Sequence, residues 1–316
     1  MSFPSISKNQ YPLITIILPT LNSSNYISAA LESIIIQDYP NLEYIVVDGG
    51  STDNTIDIAK SYSCSKLLIN PGEGLYASLN EGIQASTGEI ICFLNSDDIL
   101  GPGILKKMGK VFVNNEAVEI VCGDALLFED DGCGNTRIVD DFSRYSGKTF
   151  DIQTLLYGAP MINAHFFKSD VFKKTGVFDE SYSIAADREF MIRCFSDGLR
   201  PLYIPDLAYM YRRHPGSMTL NSSKKNAYAM GQEHLRISKE LLNSQNEELR
   251  HQSTKARDDA SLSVLAACLR DLQPARLIKF YFQHSLEDPS FTLRLPGAVI
   301  RKMRRRLEAS RQMPLS

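Results

Sequence analysis

Gly88-Glu89-Ile90-Ile91-Cys92-Phe93-Leu94-Asn95-Ser96-Asp97-Asp98 is the stretch whose reading decides the fold. Its apolar run, Ile90 to Leu94, is too short for a free-standing helix and too uniform for a strand with one face in water. It predicts a strand buried on both faces, as in the middle of a parallel sheet covered by helices. The chain then turns at once into an amide, a hydroxyl and two carboxylates. Ligands of open α/β sheets sit beyond the carboxyl ends of the strands, so chemistry is expected here. Carboxylates at such a mouth suit a hard divalent cation that also holds a phosphate. A second reading is local: Asp97 or Asp98 caps a helix started by Gly101-Pro102-Gly103. This stretch alone does not choose between the two.

Working outward, Leu13 to Leu18 is another β-branched apolar run, ended by Pro19-Thr20, with a loop at Asn22 to Asn25. Ile27, Ala30, Leu31, Ile34 and Ile35 recur at helical spacing between Tyr26 and Gln37. Tyr44 to Val47 is a third strand, running straight into Asp48-Gly49-Gly50-Ser51-Thr52-Asp53. A helix over 55–62, a strand at 67–69 and a helix over 75–85 complete a β-α-β-α-β order, the pattern of a parallel sheet with right-handed crossovers. Beyond Asp98 the pattern predicts a helix over 104–113 and a strand at 118–122. A hairpin follows, in which 130–135 turns Ala125–Phe128 onto Arg137–Val139. His165-Phe166-Phe167 reads as a short strand in which the histidine is packed, 187–197 as a helix, and Tyr203-Ile204 as an edge strand. Glu189 and Arg193 are four apart on that helix, the spacing of an ion pair, and Asp187 lies in its first turn, where the helix dipole favours a carboxylate.

From about Asn226 the composition shifts to helical stretches, 227–242, 258–272 and 274–284, with a last one after Pro296. That last helix sets Val299, Ile300, Met303 and Leu307 on one face and Arg301, Lys302, Arg304, Arg305 and Arg306 on the other. Such a helix is either a membrane-surface element, through 296–311, or a solvated face packed on the body. The expected division is 1–222 for the α/β domain and 223–316 for a helical extension.

Composition narrows the function classes. A chain of 316 residues, 43% apolar and 22% charged, is that of an ordinary globular protein. A formal net charge of -3 argues against general nucleic-acid binding. The 6 cysteines form no C-x-x-C pair, which suits a reducing compartment. Residues 1–11 lack the basic start and apolar core of a signal peptide, and no run approaches the roughly twenty apolar residues of a membrane span. The expected location is the cytoplasm, peripheral to the inner face of the cell membrane.

These segments resemble, in order along 13–217, the family 2 glycosyltransferases of GT-A fold. Ile16 to Asn22 resembles the family's opening strand and nucleotide loop, and Asp48-Gly49-Gly50-Ser51-Thr52-Asp53 its D-G-x-S-x-D segment. Leu79 to Ile83 and Thr87 to Ile91 lead into Leu94 to Asp98, similar to the D-x-D region. Gly176 to Glu180 with Ala186-Asp187-Arg188-Glu189 resembles the acceptor segment. Tyr211-Arg212-Arg213-His214 with Ser217 resembles the closing Y-R-x-H-x-x-S. Three departures stand out: Asn95 replaces the first acid of D-x-D, Ala186 the first acid of E-D, and Leu79 an arginine that often precedes Asn80.

The resemblance implies an α/β fold of GT-A type, a single domain with a central, mostly parallel sheet flanked by helices, plus a C-terminal helical extension. It implies metal-dependent, inverting sugar transfer from a nucleotide-diphosphate sugar, a UDP-sugar first, to a hydroxyl of a glycan or lipid-linked acceptor in cell-surface polysaccharide assembly. Pro19, Thr20, Asn22, Asp48, Asn80, Asn95, Ser96 and Asp97 would contact the donor. Asp97 and His214 would meet Mn2+ or Mg2+, and Asp187 would be the catalytic base. The rivals are a nucleotidyltransferase and a catalytically silent binding protein on the same fold. The first lacks its phosphate loop, because Pro19 to Ser24 contains no Lys, Arg or Gly. The same absence of G-x-G-x-x-G excludes a dinucleotide oxidoreductase. Against the second stand Asp48, Asp97 and Asp187.

Overall fold

A computed structural model describes residues 11–130, 136–141, 150–158, 162–214, 216 and 226–311, the last six of these by backbone alone. Residues 131–135 of the expected turn, Ser217 of the closing motif, the side chains of Arg306 and Leu307, and residues 1–10 lie outside what it describes. The chain divides into two compact units, Met1–Ser217 and Met218–Ser316.

The first unit begins β1 (Ile14–Thr20), α1 (Ile27–Ile35), β2 (Leu42–Asp48), α2 (Thr55–Ser61), β3 (Lys66–Ile69), α3 (Leu75–Ala85) and β4 (Ile90–Phe93). It continues β5 (Ile99–Leu100), α4 (Ile104–Asn114), β6 (Ile120–Asp130), β7 (Thr136–Asp141), α5 (Ile152–Tyr157), β8 (His165–Lys168), α6 (Ser169–Thr175), α7 (Ala186–Ser196) and β9 (Leu202–Arg212). Among the described residues these strands form one nine-stranded sheet, ordered β3-β2-β1-β4-β8-β6-β9-β5, with β7 on β6. β3, β2, β1 and β4 run parallel. β8 is antiparallel to β4 and β6, while β9 returns parallel to β6.

The decisive stretch behaves as read: all of β1 and β4 is buried, and each Ile, Leu or Phe removed from water contributes on the order of 1.5–3 kcal/mol. Two glycines explain how closely the layers approach. A Cβ on Gly82 of α3 would come within 2.3 Å of Ile17 in β1, and one on Gly88 within 2.4 Å of Thr15 Oγ1. His165 is buried and stacks on Phe167, so it is a packed histidine.

Four expectations are corrected. The runs at 118–122 and 125–128 join in one strand, β6, because β9 pairs with it from Val121 to Phe128 across both. Tyr203-Ile204 lies in a long strand, β9, which pairs with β6 there and is joined on its other side by β5 only at Tyr209 and Met210. Neither Asp97 nor Asp98 caps α4, whose N-cap is Gly103 in the left-handed region (φ 67°) with no side-chain bond.

The fourth correction lies in the second unit, which holds α8 (Ala227–Glu240), α9 (Glu247–Arg270), α10 (Pro274–Glu287) and α11 (Phe291–Arg311). α9 starts well before 258 because Asn246 accepts from the Leu249 N–H (3.2 Å) and two glutamates occupy its first turn. α11 starts before Pro296 and runs through it. No described helix is long and apolar enough to cross a membrane.

Candidate active site

Thr20, Asp48 and Phe93 end three parallel neighbouring strands, so the loops that follow converge on one edge of the sheet. The loops after β1 and β2 are laced together. Asn22, in the left-handed region (φ 49°), accepts from the Thr52 N–H (2.9 Å), and its own N–H donates to Ser51 Oγ (2.8 Å). The Ser23 N–H donates to Thr55 Oγ1 (2.8 Å) and the Ser24 N–H to Asp53 Oδ2 (3.1 Å). The Thr55 hydroxyl, with Ser24, holds the Asp53 carboxyl well below the usual carboxylate range. Asp48 is fully buried: Oδ1 accepts from the N–H groups of Gly50 (2.9 Å) and Ser51 (2.7 Å), and Oδ2 from the Ser51 hydroxyl (2.6 Å). Asp48 therefore shapes the turn after β2. The Ser96 hydroxyl donates to Ser23 Oγ (2.8 Å), tying the end of β4 to the same loops.

The two carboxylates after β4 separate in function. Asp98 points into the protein, where it accepts from the Tyr209 hydroxyl (2.7 Å), the Arg212 N–H (2.7 Å) and Asn95 Nδ2 (3.1 Å). Burial, with Asp97 adding to it, pushes the Asp98 carboxyl up to about 8, while the three donors pull the other way. Asn163 Nδ2 donates to the hydroxyls of Tyr209 and Tyr211, both at 3.1 Å, which completes a polar floor. Asp97 is partly open, and its Oδ2 lies 2.9 Å from His214 Nε2. The Gly216 N–H donates to His214 Nδ1 (3.2 Å), so the neutral imidazole carries its proton on Nε2 and gives it to Asp97. Tyr26 packs on the His214 ring at 4.4 Å. Arg212 fastens this corner: its Nε donates to the Asp97 carbonyl (2.7 Å), its guanidinium lies over Tyr26 and Phe128, and it pairs with Asp130.

Asp187 enters from α7. Its Oδ1 accepts from its own helix at the Arg188 N–H (2.7 Å) and more weakly from the Tyr76 hydroxyl (3.3 Å). Its Oδ2 has no hydrogen-bond partner among the described residues and stays solvent-accessible. Burial raises the Asp187 carboxyl above its ordinary value, against the pull of Arg188 and Tyr76. The buried Arg188 side chain donates to the carbonyls of Leu155 and Gly158, which fixes the start of the helix. Glu189 is committed elsewhere, to a two-point pair with Arg193 (2.7 and 2.9 Å). The Tyr211 phenol is pushed well above its ordinary value by burial first, then by Asp98, Asp187 and Asp97. Tyr76, which opens α3 beyond the end of β3, donates to Asp187, and Asp97 follows β4, so the two carboxylates stand at the same edge of the sheet.

Asn80 lies on α3 and holds the 178–180 segment. Its Nδ2 donates to the Phe178 carbonyl (2.9 Å) and Glu180 Oε1 (2.7 Å), and its Oδ1 accepts from the Phe178 N–H (3.0 Å). A groove of about 1030 Å³ runs along α3 past Asn80, Glu81 and Lys173, but Asp97, Asp187 and His214 are absent from its lining.

Among the described residues no three acidic, His or Cys side chains converge to hold an ion unaided. The donor set nevertheless fits a cation shared with a diphosphate, because Asp97 Oδ1 has no protein partner among the described residues and Mg2+-type ions take most ligands from phosphate and water.

Residues 15–169 match the model of glycosyl transferase family 2. A PGL/p-HBAD biosynthesis glycosyltransferase of Mycobacterium bovis is 32% identical over 193 residues, 59% of this chain and 71% of the relative. The chain is a family 2 glycosyltransferase. The putative glycosyltransferase EpsH of Bacillus subtilis is 28% identical over 230 residues, 68% of this chain and 64% of that one. Among solved structures, S. aureus TarS 1-349 in complex with UDP superposes with a TM-score of 0.58 at 19% identity, covering 88% of this chain and 92% of TarS. The mannosyltransferase PcManGT of Pyrobaculum calidifontis, in complex with GDP-Man and Mn2+, gives 0.56 at 16% identity, covering 96% and 90%. These likenesses establish the GT-A type of fold for this glycosyltransferase.

Several groups of the transferase site are absent from the motif reading. Tyr76 holds Asp187, Tyr209 holds Asp98, Asn163 donates to Tyr209 and Tyr211, and Tyr26 packs on His214. Tyr209 and Tyr211 carry a visible signal, since residues two apart on a strand share a face. Tyr26, Tyr76 and Asn163 carry none.

Proposed function

We propose that this glycosyltransferase moves a sugar from a nucleotide diphosphate to an acceptor hydroxyl with inversion, using Asp97 and His214 on the diphosphate side and Asp187 on the acceptor side. The observation that carries this reading is that Asp97, which follows β4 beside His214, and Asp187, which accepts from Tyr76 at the start of α3, are two carboxylates in different environments at the same sheet edge. Pro19, Thr20, Asn22 and the turn built by Asp48 are the proposed wall for base and ribose, with Asn95 and Ser96 near the diphosphate. Asn80 acts through the 178–180 segment that it holds.

A divalent ion on the donor, Mn2+ or Mg2+, would neutralise the charge that develops on the departing diphosphate. The Asp97 carboxylate is the group that would hold it. With its Nε2 proton given to Asp97, His214 orients the carboxylate that would hold the metal. On the other side, Asp187 Oδ2 takes the proton of the acceptor hydroxyl. As the acceptor oxygen bonds to the anomeric carbon, the bond from that carbon to the diphosphate oxygen breaks, and the electron pair leaves with the diphosphate. Attack from the face opposite the leaving group inverts the anomeric carbon, through an oxocarbenium-like state. A carboxyl raised by burial is a stronger base than a solvated one, which suits proton abstraction from an alcohol.

Uridine diphosphate sugars are the first donors to test, and a glycan or lipid-linked alcohol of surface polysaccharide assembly is the acceptor class. Metal-dependent hydrolysis of a panel of nucleotide sugars tests the reading. Release of free sugar with Mn2+ or Mg2+, and none with chelator, is the expected result. Formation of nucleoside triphosphate and sugar 1-phosphate when pyrophosphate is added would point to a nucleotidyltransferase, and no turnover of any donor to a binding protein.

A further inference from the structure

The terminal helix of the second unit is oriented opposite to its pattern. Its cations turn inward onto α9: Arg294 bonds to Asp258 at 2.9 and 3.0 Å, and Arg305 pairs with Asp259. Arg301 lies 3.5 Å from Asp259 and 3.7 Å from Asp258, and Lys302 donates to Ser263 Oγ (2.7 Å). Both aspartates are buried, so rolling α11 over would strand two buried carboxylates, and the orientation is locked.

The apolar residues are left outside. Leu293 is 83% exposed, with Val299, Ile300 and Met303 exposed along the same side. On α10, Ile278, Phe282 (64%) and Leu286 (81%) follow at four-residue spacing. Tyr281 and Thr292 join the two helices by a hydroxyl pair at 3.1 Å. Contiguous exposed apolar surface of this kind marks an interaction site.

Charge names the partner. α10 exposes Arg276 and Lys279, and α11 exposes Arg304. The neighbouring acids are consumed within the unit: Glu287 by Lys239, and Asp288 by Arg257 and Arg294. We infer that the exposed apolar faces of α10 and α11, edged by Arg276, Lys279 and Arg304, dock this unit on an anionic lipid surface. Apolar side chains enter the acyl boundary while cations meet the headgroups, the arrangement of interfacial helices. A second copy is the poorer partner, because it brings the same cations against each other. The inference concerns a surface of the second unit alone and goes beyond the sugar-transfer reading.

Flotation of the full chain with phosphatidylcholine vesicles, with and without phosphatidylglycerol, tests it. Wild-type protein is expected to float with the anionic vesicles. Leu286→Ser and Leu293→Ser should each lower the partition coefficient about tenfold. Lys279→Gln and Arg304→Gln should each lower it about fivefold, on anionic vesicles only. All four side chains are exposed, so unchanged melting and unchanged nucleotide-sugar hydrolysis in solution are expected in each variant. The inference fails if wild type does not float, or if the leucine variants float equally well. It also fails if light scattering shows a dimer that those variants dissociate while vesicle binding is absent.

Discussion

Asp187→Asn separates proton transfer from everything else Asp187 does. The amide keeps the size of the side chain, and its Oδ1 still accepts from the Arg188 N–H (2.7 Å in the wild type). Tyr76 is not stranded, because its hydroxyl also donates to the Ile184 carbonyl (2.7 Å). The fold is therefore retained, and the sign of the stability change follows from the raised carboxyl. A folded pKa above the unfolded one means that ionised Asp187 weighs against folding once pH exceeds the unfolded value. Removing the charge should leave melting at or above wild type near neutral pH, with the gain vanishing at acidic pH. Catalysis behaves differently. Loss of a general base costs roughly two to four orders of magnitude in kcat, or about 3–5 kcal/mol of transition-state stabilisation. Donor affinity should stay within about twofold, since the loss is confined to the transition state. In wild type the acid limb of kcat/KM should lie above the usual carboxylate range and disappear in the variant. Glu189→Gln is the comparison: it weakens a pair with Arg193, which keeps its bonds to the Thr175 and Val177 carbonyls, so turnover should change little. Steady-state kinetics beside calorimetric donor binding reads all of this. Near-normal kcat in Asp187→Asn, or lost donor binding with turnover kept, would refute the assignment.

Other expectations follow from single contacts. Asn80→Ala removes three hydrogen bonds to 178–180, worth about 1 kcal/mol each, and should lower stability by about 2–3 kcal/mol in denaturant titration while speeding proteolysis near Phe178. Arg212→Met removes the ion pair of Arg212 with Asp130 and its bond to the Asp97 carbonyl; a loss of about 2–3 kcal/mol with weakened nucleotide binding is expected. Asp258→Asn should destabilise the second unit by about 3 kcal/mol, visible in chemical denaturation, because Arg294 loses its charged partner there.

The sequence reveals the sheet because a strand buried on both faces needs a nearly continuous apolar run, and Ile14 to Leu18, interrupted only by Thr15, and Ile90 to Leu94 are such runs. It reveals the polar edge because the motif residues follow those runs directly. It does not distinguish Asp97 from Asp98. Their roles diverge only when β9, more than a hundred positions away in the chain, brings Tyr209 and the Arg212 N–H to Asp98. Nor does it reveal the contacts of Asn80 with 178–180, which depend on how α3 packs. The orientation of α11 escapes helical periodicity as well: two buried aspartates on α9 outweigh the tendency of its apolar face to turn inward.

The account rests on Asp97 acting on the diphosphate side and Asp187 on the acceptor side of the transferred sugar. Calorimetric titration of UDP into wild type, Asp97→Asn and Asp187→Asn, with Mn2+ and with chelator, separates the two sides in one measurement. Wild type and Asp187→Asn should bind alike and much more tightly with Mn2+, while Asp97→Asn loses the metal-dependent gain. Metal-enhanced binding that survives in Asp97→Asn, or disappears in Asp187→Asn, would contradict the account.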